Sequence, residues 1–121
     1  LFRSIHSEAY AAGELKHGTI SLIEPGTLVI GVLTQQNLYE KTVSNMVECK
    51  SRGAYLMGLT TYGNYSIEDT AGFTVYVPKT DPHFATSLSV IPLQLLAYYV
   101  SCAKGLDVDK PRNLAKSVTV E

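Results

Sequence analysis

The amino-acid sequence predicts an α/β protein with a parallel sheet, built as one domain. Three short runs are apolar at nearly every position: TLVIGVL at 27–33, AYLMGLT at 54–60 and FTVYV at 73–77. An unbroken apolar run of this length is typical of a strand that is covered on both faces, as in a parallel sheet. An amphipathic segment separates the first two runs, so they form a strand, helix, strand unit. The chain of 121 residues is long enough for one hydrophobic core and too short for two.

The amphipathic segment, residues 36–53, predicts the first helix. Its apolar side chains recur at helical spacing on one stripe, formed by Tyr39, Val43, Met46 and Val47. Gly53 follows Arg52 and is the kind of residue at which a helix ends.

The crossover at 61–72 and the segment at 84–104 complete the predicted layers. The crossover is rich in Gly, Asn and Asp, which predicts a loop or a single turn. The segment at 84–104 is apolar on nearly every side, so we expect a helix buried in a core or in a subunit contact. Pro92 removes a hydrogen bond within it, which favours a bend, and Gly105 ends it. Three strands and two main helices make an incomplete doubly wound sheet, and we expect its first strand to be missing.

Composition excludes several classes of partner. A formal net charge of -1 gives no electrostatic reason to expect nucleic acid or an acidic membrane. The sequence shows no secretory leader and no uninterrupted apolar run of the length that spans a bilayer. Cys49 and Cys102 lack C-x-x-C spacing, which favours free buried thiols over a disulfide and predicts a cytoplasmic protein.

The segment GELKHGT at 13–19 is the first candidate for acid-base chemistry. It places Glu14, Lys16 and His17 between two glycines, where a ligand could approach the backbone closely. The unperturbed pKa of histidine lies nearest neutrality, so His17 could both donate and accept a proton. The alternative interpretation is an ordinary charged loop.

Lys116 is the second candidate. It lies in the apolar setting NLAKSVTV, which could lower its pKa and allow Schiff-base formation with a carbonyl group or contact with an anionic oxygen. The alternative is a surface lysine on a loose tail. We expect no metal site, because no pair of potential ligands has the helical spacing of a zinc enzyme among His6, Glu14, His17 and His83.

Three segments, EAYAAGELKHG at 8–18, IPLQLLAYY at 91–99 and DVDKPRNLAKSVTVE at 107–121, closely resemble the C-terminal end of the isomerising glutamine:fructose-6-phosphate aminotransferases. The resemblance implies a flavodoxin-like αβα sandwich called a sugar isomerase (SIS) domain. Residues 1–121 would be most of the second of two such domains, lacking its first strand and helix, with 107–121 as a tail over the active site. In this family, ammonia released from glutamine converts fructose 6-phosphate to glucosamine 6-phosphate without a metal or organic cofactor.

The resemblance also implies roles for individual residues. His17 matches the family's sugar-opening histidine, which reaches the active site of the neighbouring subunit of a homodimer. Lys116 matches the lysine assigned to Schiff-base chemistry or to contact with the open-chain phosphosugar. Ala115 and Val118 match tail positions close to the ammonia channel. The family's general-base glutamate aligns with Leu1, so the resemblance predicts that this chain alone is inactive.

Two alternatives remain open from the sequence. One is another SIS protein, such as a phosphosugar isomerase, a deglycase or a phosphosugar-sensing regulator, although PRNLAKSVTVE is not expected in their tails. The other is a non-catalytic phosphosugar-binding or assembly module that supplies His17 and the apolar helix to a partner.

Overall fold

The computed structural model describes residues 6–109. Within this range the sheet has three strands, β1 (Leu28–Leu33), β2 (Tyr55–Thr61) and β3 (Phe73–Val77), in the order β1-β2-β3. Both pairs are parallel, with Leu28 opposite Tyr55 and Met57 opposite Phe73. The α/β class and the parallel pairing predicted from the apolar runs are therefore confirmed.

Two α-helices and four short 3-10 helices complete the described part of the chain. The α-helices are α1 (Tyr39–Ser51) and α2 (Pro82–Ala103). The 3-10 helices are Ala12–His17, Thr19–Leu22, Gln36–Leu38 and Tyr65–Asp69. The last of these is the single turn predicted within the crossover at 61–72.

Helix α2 begins two residues before its predicted start because its first turn is capped. Pro82 occupies the start of the helix, where a missing N–H costs nothing. The backbone N–H of His83 donates to Asp81 Oδ1 over 2.9 Å. This backbone hydrogen bond, followed by one from the His83 ring, lowers the pKa of the Asp81 carboxyl group.

The hydrophobic core lies between α1 and the first face of the sheet. Side chains alternate between faces along a strand, so the residues of β1 and β2 that face α1 include Leu33 and Leu56. Both are buried with Met46 and Cys49 of α1 and Ile67 of the crossover. Val47, predicted on the buried stripe, is instead 47% exposed, because the stripe continues through Cys49 rather than through Val47.

Two glycines make this packing possible. A side chain on Gly31 would meet Met46 Sδ, and a Cβ on Gly58 would lie 2.9 Å from Cγ1 of Ile67. The sheet therefore has space on this face where α1 and the crossover approach it most closely. The missing side chains allow the close approach that the core requires.

The second face of the sheet is only partly covered within residues 6–109. Every residue that β1 and β3 present there is apolar, yet Leu28, Val32 and Phe73 are exposed, Phe73 at 56%. Leu59 and Val77 are buried on the same face, and α2 packs against β3 at that side. Apolar strands of this kind are typical of a sheet covered on both faces, so this face needs more cover than the described residues supply.

Helix α2 is not buried in the core of the described part. Only Ala85, Ser89 and Ser101 are buried along it, while Leu95 and Tyr99 are exposed, Tyr99 at 65%. Cys102 is also exposed, which corrects the expectation that both thiols are buried, although both are free. The expectation of core burial is therefore wrong for the described residues, and a subunit contact stays a prediction.

The length and composition of α2 also bear on membranes. Its 22 residues are long enough, and on average apolar enough, to cross a bilayer. The sequence showed no uninterrupted apolar run because Ser, Thr, Gln and Pro residues divide the segment. Length and composition alone are weak evidence for a span, since apolar helices of domain cores also meet them.

We predict that Gly58→Ala destabilises the fold by about 1–3 kcal/mol, because the added methyl group forces Ile67 or β2 to move in a close-packed core. The measurement is the free energy of unfolding from urea titration. Gly13→Ala is the matched control, since a Cβ there meets nothing within 4 Å. Equal stability of the two variants would contradict the packing described here.

Candidate functional site

His17 lies at the end of the 3-10 helix Ala12–His17 and is exposed. A 3-10 helix has three residues per turn, so Glu14 and His17 share one face of it. Both are exposed, whereas Leu15 between them is half-buried against the core cluster. The segment therefore turns its acid-base side chains outward and one apolar side chain inward.

The segment that carries His17 is attached to α1. Lys16 Nζ lies 2.5 Å from Glu48 Oε1 of α1. After His17 the chain turns at Gly18, whose φ of 140° lies in the region that favours glycine, and the next 3-10 helix buries Ile20. Sequence reasoning missed Glu48, because its partner is 32 positions away and no spacing rule on one helix connects them.

An open surface cavity of about 650 Å³, lined mainly by polar residues, lies at the carboxyl ends of β1 and β2. Gln36 and Asn37, which follow β1, form one side of it, and Gly63 and Asn64, which follow β2, form the other. The hydroxyl groups of Tyr39 and Ser66 lie 3.0 Å apart across the two sides. Charged residues of both signs also line the cavity: Glu40, Lys41 and Asp69. It can hydrogen-bond a polar molecule, but His17 does not line it.

An aromatic cluster lies beside this cavity. The rings of Tyr62 and Tyr76 are stacked with centroids 5.6 Å apart, and Tyr65 meets Tyr76 edge-on at 5.4 Å. The Tyr76 hydroxyl donates to Glu68 Oε1 over 2.6 Å. Desolvation, and then this hydrogen bond, raise the pKa of Tyr76 to about 12. The cluster fixes the crossover that forms one side of the cavity.

The cysteines and histidines do not gather into a reactive or metal-binding group in the described range. Burial raises the pKa of the Cys49 thiol, which opposes formation of a thiolate. His6 pairs with Glu8 and His83 with Asp81, each with a near neighbour in sequence. Within residues 6–109, no three His, Cys, Asp or Glu side chains are placed to hold a metal ion.

Lys116, Ala115 and Val118 lie outside the described residues, as does Leu1. The structure therefore places only His17 among the predicted site residues. That Lys116, Ala115 and Val118 form one site with His17 stays a prediction.

Comparison with known proteins identifies the family. Residues 1–104 match the SIS domain family. The chain belongs to the SIS domain family. This chain is 61% identical, over 97% of its length, to a glutamine–fructose-6-phosphate aminotransferase [isomerizing] of Clostridium tetani. It is 50% identical, again over 97% of this chain, to a protein of the same name from Thermus thermophilus. The chain spans about a fifth of these relatives, 19% of each.

A solved structure supports the same relationship. The C-terminal domain of glucosamine-fructose-6-phosphate aminotransferase from Francisella tularensis superposes on the SIS domain with a TM-score of 0.75. The two are 32% identical, and the match covers 86% of this chain and 29% of that one. The resemblance seen in the sequence and the flavodoxin-like fold class are therefore confirmed.

We predict that the stability of the SIS domain falls as the pH rises from about 10 to about 12. The unfolded chain releases the Tyr76 proton near the ordinary pKa of 10, whereas the folded chain keeps it until about 12. The folded state binds more protons in this interval, so its stabilisation is complete below pH 10 and is lost through the folded pKa. Urea unfolding at pH 9, 10 and 11 should show a smaller decline for Tyr76→Phe than for Tyr99→Phe. If the free energy of unfolding declines equally with pH in both variants, the raised pKa of Tyr76 is not the cause.

Proposed function

We propose that this chain is the C-terminal part of the isomerase half of an enzyme that converts fructose 6-phosphate and glutamine to glucosamine 6-phosphate and glutamate. The observation that carries the proposal is the close relationship to isomerising aminotransferases across nearly the whole chain. The relationship extends through the tail that contains NLAKS, where another SIS isomerase, deglycase or phosphosugar-sensing regulator is not expected to match.

We propose that His17 opens the sugar ring. Ring opening needs proton transfer at the ring oxygen and at the anomeric hydroxyl group, and an imidazole can both donate and accept a proton near neutral pH. The exposed position of His17 supports a role outside its own domain, in the active site of a neighbouring subunit.

Lys116 then forms a Schiff base with the open-chain phosphosugar or contacts it, as the family resemblance implies. Ala115 and Val118 line the passage through which ammonia reaches that sugar. A desolvated lysine is a good carbonyl nucleophile because its neutral form is populated near neutral pH. In this proposal, the side chains carry out the sugar chemistry without a cofactor.

The proposed assembly is a cytoplasmic homodimer that binds neither nucleic acid nor a membrane. The apolar surface of α2 and of the second sheet face supports a large contact with protein, since exposed apolar patches of this kind mark interaction sites. The same surface favours the second candidate function, an assembly module, for the chain by itself. That the chain alone is inactive stays a prediction.

We predict that His17→Ala in the full-length enzyme lowers the formation of glucosamine 6-phosphate by about 10²-fold or more, the usual contribution of a positioned acid-base group. The hydrolysis of glutamine should change far less, since another domain carries it out. His83→Ala is the matched control, because His83 is an exposed histidine paired locally with Asp81. The proposal fails if sugar conversion by His17→Ala equals that of His83→Ala.

A further inference from the structure

The 3-10 helix that carries His17 packs against α1 at the surface of the domain. None of its residues is fully buried, and its start has no side-chain cap. Helices of this type have poorer hydrogen-bond geometry than α-helices and are short for that reason. The direction of His17 therefore depends on the contacts that neighbouring residues make with the core.

Two adjacent residues supply such contacts. Leu15 packs against the core cluster, and Lys16 reaches Glu48 of α1. One contact would leave the short helix free to rotate about it. A second contact at the next residue, about a third of a turn away, removes that rotation and fixes the direction of His17.

Glu48 is a firm point of attachment. It lies on α1 between Met46, which is 2% exposed, and Cys49, which is fully buried. The backbone of α1 is thus held in the core at this position. The Lys16–Glu48 ion pair ties this surface segment to a helix whose neighbouring side chains Met46 and Cys49 lie in the core.

We propose that Lys16 and Glu48 are a positioning pair for His17, and this inference rests on the proposed role of His17 in ring opening. Neither residue touches the sugar. Their side chains are 51% and 41% exposed, so the pair contributes little to global stability. Its effect is on catalysis, because a small displacement of an acid-base group lowers the rate.

The test uses the full-length enzyme with Lys16→Ala, Glu48→Ala, the double alanine variant and the charge-reversed pair Lys16→Glu with Glu48→Lys. We expect kcat for glucosamine 6-phosphate formation to fall roughly two- to fivefold in each single variant, the range that exposed ion pairs produce. The double variant should be no worse than the single ones, and the reversed pair should recover most of the rate. Rising ionic strength should reduce the difference between wild type and Lys16→Ala.

Two further variants test whether the ion pair acts through His17. Lys50→Ala removes a lysine of α1 that donates to the Thr70 carbonyl oxygen over 2.8 Å, away from the His17 segment, and it should leave kcat unchanged. Lys16→Ala should have no further effect in a His17→Ala background, because the side chain that the pair positions is already missing there.

The outcomes are distinguishable. If His17→Ala leaves sugar conversion unchanged, the proposed role of His17 fails, and the positioning role fails with it. If His17→Ala lowers kcat but the Lys16 and Glu48 variants do not, only the positioning role fails. A loss that charge reversal does not restore, or that persists in the His17→Ala background, likewise overturns it.

Discussion

The packing of α1 against the first face of the sheet is the constraint on which the rest of the domain depends. Gly31 and Gly58 leave space for Met46 and Ile67, so the helix and the crossover approach the strands closely. This contact buries the apolar side chains of β1 and β2 that would otherwise face water, and burial of this kind is the main favourable contribution to folding. The 3-10 helix that carries His17 is in turn attached to α1 through Lys16 and Glu48. The core thus determines where the candidate catalytic side chain lies.

The second face of the sheet, in contrast, is only partly covered. Leu28 and Val32 of β1 remain about half exposed there, and α2 presents apolar side chains on several sides. Exposure of such an apolar surface to water is unfavourable, so we expect this face of the domain to contact other protein segments. Because the related aminotransferases are about five times longer than this chain, much of their length lies outside it. The proposed isomerase half, in which residues from several segments and subunits form one site, would account for both observations.

Much of the fold could be predicted from the sequence, because its strands are apolar runs and such runs need cover on both faces. The bounds of FTVYV, the crossover turn and the end of α1 near Gly53 all followed from local pattern. Long-range contacts could not be predicted. The Lys16–Glu48 pair and the Tyr39–Ser66 contact join residues that no periodicity connects. The exposure of Val47 and α2 could not be predicted either. Hydropathy alone does not distinguish a helix face buried in the core from an exposed apolar face that could contact a partner. His17 was found through the motif around it, and its exposed position is not visible in the sequence.

In the proposed mechanism, His17 of one subunit serves a sugar site that contains Lys116 of its neighbour. Subunit complementation tests this most directly, with full-length His17→Ala and Lys116→Ala proteins that are each inactive in sugar conversion. When the two are co-expressed in equal amounts, we expect activity to return to about a quarter of the wild-type value, because half of the dimers are mixed and each mixed dimer has one intact site. If the mixture stays as inactive as the two separate variants, His17 and Lys116 do not meet across a subunit boundary, and the proposed mechanism is wrong.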